Sequence, residues 1–264
     1  MIHIVSFSTG LSSAICVERV YKRYGAEPMK VVFMDTTIED DDNYRFGLEM
    51  YARWLQLGIE IVQLTEGRDP FRVSEDAQFI PNQKAAPCTF KLKINPFVSY
   101  LESLTGDITI HIGFDYSEIH RTKATKKNYE ARGWSVDFPL LWKPYELRPY
   151  TQVAREDWNI EPPRMYALGY SHANCGGICV KQGHSDWIRT LINFPQRYAK
   201  IEQWEADMRD HPVRKNYALL RDRSNGTVTP KTLQQLREEY QDNPQASLFD
   251  SGACVQCGVG DFVQ

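Results

Sequence analysis

Nothing in the 264 residues approaches the roughly 20 consecutive apolar residues that cross a bilayer. The first residues lack a basic leader followed by an apolar stretch and a small-residue cleavage site, so the expected location is the cytoplasm, with no membrane contact. The chain has no large excess of one charge. Its 31 Lys and Arg stand against 34 Asp and Glu, a net charge of −3, which argues against coating nucleic acid by bulk charge and leaves room only for a local basic patch. Internal repeats, low-complexity tracts and a clean linker are also missing. Cysteine is sparse, at six residues, and in a reducing compartment these read as thiols, metal ligands or redox centres rather than disulfides. What remains is an ordinary globular composition, 42% hydrophobic and 25% charged, long enough for one substantial core.

The first half alternates strand and helix patterns. His3–Ser8 reads as a strand, and Ile15, Val17, Val20, Tyr21 and Tyr24 form a buried stripe on a helix that Gly25 stops. Lys30–Asp35 is a second buried strand, and Tyr44, Leu48, Tyr51 and Leu55 mark the inner face of the next helix. Ile59–Leu64 alternates like a strand, Pro96–Leu104 opens as a helix with proline near its start, and Asp107–Phe114 is another strand. Strands separated by helices predict an α/β fold with a doubly wound, mostly parallel sheet, whose ligands sit at the carboxyl ends of strands near a switch point. Ser8, Asp35 and Gly113 fall at such ends. From about Pro149 the pattern becomes helical, with a long signal over Ser185–Met208 broken near Pro195 and a shorter one over Pro230–Tyr240. The expected organisation is an α/β domain over 1–148 and a helical, cysteine-bearing C-terminal extension over 149–264. That extension carries Cys175/Cys179 and Cys254/Cys257 and packs on the same core.

Between the first strand and helix stands Ser8-Thr9-Gly10-Leu11-Ser12-Ser13. Small residues let the backbone approach a ligand, and hydroxyls with the N–H groups of a helix start can hold an anion such as phosphate. The same pattern also serves plain packing.

Five features in order carry a resemblance. They are Ser6-Phe-Ser-Thr-Gly-Leu-Ser-Ser13, Val32-Phe-Met-Asp-Thr-Thr37, Pro87-Cys-Thr-Phe-Lys-Leu-Lys-Ile-Asn-Pro96, Gly113-Phe-Asp-Tyr-Ser-Glu-Ile-His-Arg121 and Tyr166-Ala-Leu-Gly-Tyr-Ser-His-Ala-Asn-Cys-Gly-Gly-Ile-Cys179. Over roughly residues 1–180 this set resembles the phosphoadenosine phosphosulfate (PAPS) reductase family of the PP-loop adenine-nucleotide hydrolase superfamily. The resemblance implies a Rossmann-like sheet binding ATP or PAPS, with Ser6, Ser8, Thr9, Gly10, Ser12 and Ser13 at the phosphates and Asp35 near the ribose or adenine. It also implies Gly113 as a point of close backbone approach, and Arg121, held by Glu118, as a fork for phosphate or sulfate. Cys88 with the nearby Lys91 and Lys93 combines a thiol with an anion-attracting pair. Against these roles stand an acid at a strand end acting as a helix cap, a surface Glu–Arg pair one turn apart, and solvated lysines.

The chain departs from the family's Ser-Gly-Gly-x-Asp-Ser loop. Thr9 replaces the first glycine and Ser12 the aspartate that helps arrange Mg2+ and pyrophosphate, which places ATP cleavage in doubt more than nucleotide binding. Cys175-Gly-Gly-Ile-Cys179 and Cys254-Val-Gln-Cys257 are spaced as ligand pairs, and together they would suit a structural zinc. The resemblance implies instead a [4Fe–4S] cluster on Cys88, Cys175 and Cys179, with one iron open or a tail cysteine such as Cys257 in the fourth place. Gln256-Cys257-Gly258-Val259 also loosely resembles the mobile catalytic end of PAPS reductases, with Cys254 as a resolving thiol. Cys16 reads as a buried apolar residue, and His172 and His184 as ligands, acid–base groups or structural donors.

Two stretches, His120–Tyr129 continuing to Arg132 and Trp134, and Arg209–Arg223, mix basic and aromatic residues as a nucleic-acid surface does. The expectation is an ATP pyrophosphatase that activates a nucleic acid for sulfur incorporation (DNA phosphorothioation or RNA thiolation), with a cysteine desulfurase as sulfur donor. The alternatives are a sulfonucleotide reductase served by a thioredoxin-type reductant, and a catalytically degenerate subunit that binds nucleotide and zinc.

Overall fold

The computed structural model describes residues 1–223 and 226–244. Along the chain run β1 (Ile2–Phe7), α1 (Leu11–Tyr24), β2 (Met29–Asp35), α2 (Asp41–Gln56), β3 (Glu60–Thr65), α3 (Pro70–Asp76), a π-helical turn (Thr89–Ile94), α4 (Asn95–Ser103), β4 (Ile108–His111), α5 (Ile119–Glu130), β5 (Ser135–Asp137), α6 (Tyr150–Asp157), α7 (Arg164–Ala167), α8 (His184–Asn193), α9 (Pro195–Arg209), β6 (Leu220–Asp222), β7 (Thr229–Lys231) and α10 (Leu233–Asp242). The chain divides into two compact units. The first joins Met1–Gly67 to Thr89–Arg164, and the second joins Arg68–Cys88 to the described residues from Met165 onward.

The first unit holds a parallel five-stranded sheet of order β3-β2-β1-β4-β5. Period-2 alternation in its strands serves two faces at once. Ile4, Val32, Met34 and Ile110 face one way and pack with Phe97, Val98 and Leu101 of α4 and Tyr129 of α5. Phe7 points the other way, edge-on to Trp54 of α2 with ring centroids 4.9 Å apart. Chain order runs outward from β1 in both directions, so the switch point falls between β1 and β4.

The predicted strands and helices are present within a residue or two, except that the fourth strand stops at His111 and the last helix starts at Leu233. The inner face of α2 differs from expectation. Leu48 and Leu55 are exposed, at 65% and 60%, while Phe46, Gly47, Met50 and Trp54 are buried. Trp54 fixes the rotation by donating Nε1–H to the buried Glu18 of α1 at 2.9 Å, beside an Arg53–Glu18 ion pair at 2.9 Å. A full indole with a satisfied N–H outweighs two leucines. Gly25 ends α1 at φ 79°, as its position predicts, whereas Tyr24 lies at the rim, stacked on His3 at 3.9 Å.

The second unit packs α8, α9, α10 and the β6–β7 hairpin around Trp187 and Tyr198, whose rings meet edge-on at 5.9 Å. Buried Glu205 accepts from the backbone N–H groups of Leu219 and Leu233, each at 2.7 Å, and so ties the hairpin and α10 to α9. Pro195 does break the long helical signal, between α8 and α9. Pro230 lies in β7 rather than in the last helix, whose Thr232–Gln235 capping box sets its start. Segment 68–88 belongs here because Phe71 packs edge-on against Trp204 at 4.9 Å and Trp204 donates to Glu75 at 3.0 Å.

Candidate nucleotide site at the sheet switch point

The loop after β1 is built by small side chains that bond to its own backbone. Ser13 Oγ donates to Gly10 O at 2.8 Å and accepts from Ser8 N–H at 3.1 Å, with Ser8 Oγ 3.3 Å away. Thr9 stands at φ 55°, its hydroxyl donating to Ser8 O at 2.7 Å. A threonine rarely takes that conformation, which costs roughly 1–3 kcal/mol and tends to sit at functional sites. The cap residue of α1 is Gly10, which has no side chain, and the first turn of the helix carries the positive end of the helix dipole.

Two glycines brace this loop. A Cβ on Gly113 would meet Ser12 O at 3.0 Å and Ser13 Cα at 3.2 Å, so the chain leaving β4 lies flat against the start of α1. Its close approach is to the loop backbone. A Cβ on Gly47 of α2 would meet Thr9 Cγ2 at 3.1 Å. Gly47 was not among the residues read as candidates, since its role needed the neighbouring element to be visible.

Asp35 is the last residue of β2, and its carboxylate organises the turn beyond. Oδ1 accepts from Thr37 N–H at 2.8 Å and Tyr44 OH at 2.7 Å, and Oδ2 from Gln63 at 3.1 Å. Burial, followed by that bond to Asp35, pushes the Tyr44 phenol well above its ordinary range. The α2 cap is Asp40, which accepts from Asp42 N–H at 3.1 Å and pairs with Arg164 at 2.8 Å.

Arg121 sits on the first turn of α5, ion-paired with Glu118, its guanidinium 4.2 Å from the centre of the Phe114 ring. Phe114 in turn stacks on Phe138 at 5.7 Å and 7°. Both partners of the ion pair are largely enclosed, with side chains 11% exposed, unlike a surface i,i+3 pair. The platform under Arg121 was absent from the residues read as candidates. A sequence signal existed in the Gly-Phe pair at the strand end.

Lys91 and Lys93 lie in the π-helical turn Thr89–Ile94, a rare conformation that concentrates at functional sites. Lys91 points to solvent, whereas Lys93 is 6% exposed, so of the two the buried one is Lys93.

In the second unit Cys88, Cys175 and Cys179 are all buried thiols. Cys175, Gly176 and Gly177 form a left-handed turn at φ 50°, 56° and 78°. Its carbonyls are claimed by protein donors. Gly176 O accepts from Arg197 at 2.9 Å, and Gly177 O from Gln182 at 2.8 Å and from Thr190. Among the described residues no group of three or more Cys, His, Asp and Glu converges as a metal site requires. By themselves, without the tail pair, Cys88, Cys175 and Cys179 form no such group among the described residues. Cys254 and Cys257 lie outside the described residues. Cys16 is fully buried and its thiol is pushed far up by desolvation, as expected of an apolar role. His184 is the buried first residue of α8.

In the basic stretches Lys123, Lys126, Lys127, Arg132, Lys215 and Tyr217 are exposed, while other members turn inward. Tyr129 is fully buried, edge-on to Phe97 and packed beside Trp134, so it offers no face to a base. Arg221 folds back on Ala218 O at 2.6 Å and Leu220 O at 2.9 Å, and Arg209 binds Tyr217 O. No helix among the described residues is long and apolar enough to cross a membrane.

Fold and loop together define a class: a doubly wound parallel α/β domain with a Ser/Thr/Gly loop at its switch point. Among solved structures the chain is similar to phosphoadenylyl-sulfate (PAPS) reductase from Candida auris in its phosphate complex, at a TM-score of 0.46 and 16% identity over 65% of this chain and 79% of that one. No protein-family model and no curated protein matches the chain.

Proposed function

We propose that the chain is an enzyme of the PP-loop/PAPS-reductase type. It binds an adenine nucleotide at the loop Ser8–Ser13 and uses ATP to activate an acceptor oxygen of a nucleic acid for replacement by sulfur. The observation that carries this reading is the braced loop: Thr9 at positive φ, Gly113 pressed on Ser12, and α1 starting directly after Gly10. Such a loop presents hydroxyls and a helix start to phosphate. The ordered motifs that resemble the family support the adenine nucleotide, and Arg121 with Glu118 supplies a bidentate fork for the anion that reacts.

In this reading the acceptor oxygen attacks the α-phosphorus of ATP. The bond between the α-phosphorus and the bridging oxygen breaks and pyrophosphate leaves with that electron pair. A persulfide sulfur from a desulfurase-class donor, with two electrons from a thiol reductant, then displaces AMP from the activated carbon or phosphorus. Lys91 and Cys88 are assigned to anion attraction and sulfur handling. Ser12 stands where the family carries aspartate, so Mg2+ enters bound to the nucleotide phosphates rather than to that side chain.

Calorimetric titration of the full chain with ATP and, in parallel, with PAPS tests the reading. ATP is expected to bind at least about tenfold more tightly. Preference for PAPS transfers the site to sulfonucleotide reduction, and binding of neither removes the nucleotide reading altogether.

A further inference from the structure

A cavity of about 520 Å³ opens in the first unit beside α1, lined by none of the loop residues. Neither Ser8, Gly10, Ser13 nor Gly113 lines it. Its size is that of a small-ligand site. Its lining includes three aromatic residues, Trp142, Tyr145 and Trp158. Trp142 is held in place from behind: its Nε1–H is shared by both carboxylate oxygens of Asp137, at 3.1 Å each.

The charges of the cavity are unevenly satisfied. Its three acids each have a fixed cationic partner outside the lining. Glu18 accepts from Arg53 at 2.9 Å, as well as from Trp54. Glu146 and Asp157 are bridged by Arg148, at 3.1 Å and 2.7 Å, which holds both carboxyls below their ordinary range. The cations lining the cavity are not so matched. Among the described residues no carboxylate forms an ion pair with Lys22, Arg23 or Lys143, although Lys22 lies near enough to Asp157 to help keep its carboxyl low. Arg23 rests on the Trp142 ring at 4.4 Å. Arg19 spends Nη2 on the carbonyls of Trp142 and Pro144, at 2.7 and 2.8 Å, while its buried Nε–H has no hydrogen-bond partner among the described residues. A buried donor without a partner is costly, and a ligand acceptor is one way to satisfy it.

We propose that this cavity is a second binding site for a small aromatic anion of mononucleotide size. The ring packs on Trp142 and Trp158, and the phosphate or carboxylate is taken by Arg23 and Lys143 together with the Arg19 Nε–H. Aromatic residues and unmatched cations coincide in one open groove, and each favours a different half of the same ligand. The site is independent of the nucleotide bound at the Ser8–Ser13 loop and stands whether or not that assignment holds.

The test uses the full chain labelled with 5-fluorotryptophan, in which each of the six tryptophans reports separately by 19F NMR. AMP is the probe, with inorganic phosphate and adenosine as its two halves. AMP is expected to move the Trp142 and Trp158 resonances with a half-saturation at least about tenfold below that of either half. R23Q/K143Q, two changes at exposed positions, is expected to raise that half-saturation about tenfold or more. G113A, at the loop, is expected to leave it unchanged. The proposal fails if AMP moves neither resonance, if phosphate alone gives the same curve as AMP, or if the double substitution has no effect. It fails equally if G113A abolishes the shifts, which would trace them to the loop instead.

Discussion

The carbonyl oxygen of Ser12 lies where a Cβ on Gly113 would stand 3.0 Å away, and the Cα of Ser13 is only 0.2 Å farther, at 3.2 Å. Two backbone segments, one entering α1 and one leaving β4, are thus in contact with no side chain between them. Backbone cannot swing aside as a flexible side chain can. The contact therefore sets the shape of the proposed phosphate loop from outside it.

Gly113→Ala is expected to displace the Ser12–Ser13 backbone by a few tenths of an ångström. The loss in stability should be modest, about 1–2 kcal/mol, the usual cost of overpacking. Affinity for ATP should fall more, by about tenfold, because the loop's N–H groups and hydroxyls are re-aimed. Thermal melting and calorimetric titration of the same sample separate the two. Unchanged ATP affinity at lowered stability would show that the contact is packing alone.

Gly47 and Thr9 form a second close pair, and a double-mutant cycle reads it. In the middle of α2 alanine should gain about 1 kcal/mol over glycine from helix propensity. In this chain the gain is opposed, because the new Cβ would stand 3.1 Å from Thr9 Cγ2. Thr9→Ser removes that methyl and keeps the hydroxyl that donates to Ser8 O. Gly47→Ala is expected to be neutral or destabilising alone and stabilising by about 1 kcal/mol in the Thr9→Ser background. Urea unfolding midpoints of the four proteins measure the coupling, and additive values would contradict it.

Arg121→Lys tests the fork on its aromatic platform. Lysine keeps the charge but neither binds an anion bidentately nor stacks flat on Phe114. Affinity for ATP should drop about tenfold while the melting temperature moves by only a few degrees, since one i,i+3 pair and one cation–π contact are lost. A lysine variant that binds ATP as the parent does would remove Arg121 from the anion site.

The sequence made the sheet legible because each central strand is a short β-branched run bounded by turn residues, and that pattern needs no partner to be seen. The face of α2 was not legible. Tyr51 does turn inward onto Phe7, but Leu48 and Leu55 are exposed and Phe46, Met50 and Trp54 take the core face, a choice that the Glu18 acceptor on α1 decides. Ser8, Gly10 and Ser13 were readable as a loop from their size and hydroxyls. Gly47, Phe114 and Phe138 were not, since each acts on the site from another element. Cys175 and Cys179 show how little spacing says about local backbone. Two cysteines around Gly-Gly read as a ligand pair in one dimension, and only the structure shows that the glycines between them form a left-handed turn whose carbonyls are taken by Arg197, Gln182 and Thr190.

His3 and His111 went unread in the sequence, yet they form a buried pair on neighbouring strands, with His3 Nδ1 2.9 Å from His111 Nε2. Only one of these nitrogens can carry the shared hydrogen. His111 Nδ1 is buried with no hydrogen-bond partner, so the economical arrangement has His111 donate Nε2–H to His3 Nδ1 and leaves its own Nδ1 as a bare acceptor. Protonating either ring opposes this arrangement. Desolvation and the neighbouring His3 and Arg23 lower His111 from 6.5 to about 4, against a raising influence from Asp137, and burial with the chain's amino terminus lowers His3. Unfolded histidines titrate near 6.5, so between pH 6.5 and 4 the unfolded chain binds protons that the folded one refuses. The stabilisation is therefore complete above pH 6.5 and is lost progressively as pH falls toward 4, by roughly 3 kcal/mol for His111. His111→Gln keeps a side-chain donor but cannot titrate. Subtracting its unfolding free energy from the parent's at each pH cancels the acid titration of carboxylates common to both. The difference should rise with pH between 4 and 6.5 and level off above. A difference that stays flat across that interval would mean the His3–His111 pair is protonated as easily folded as unfolded.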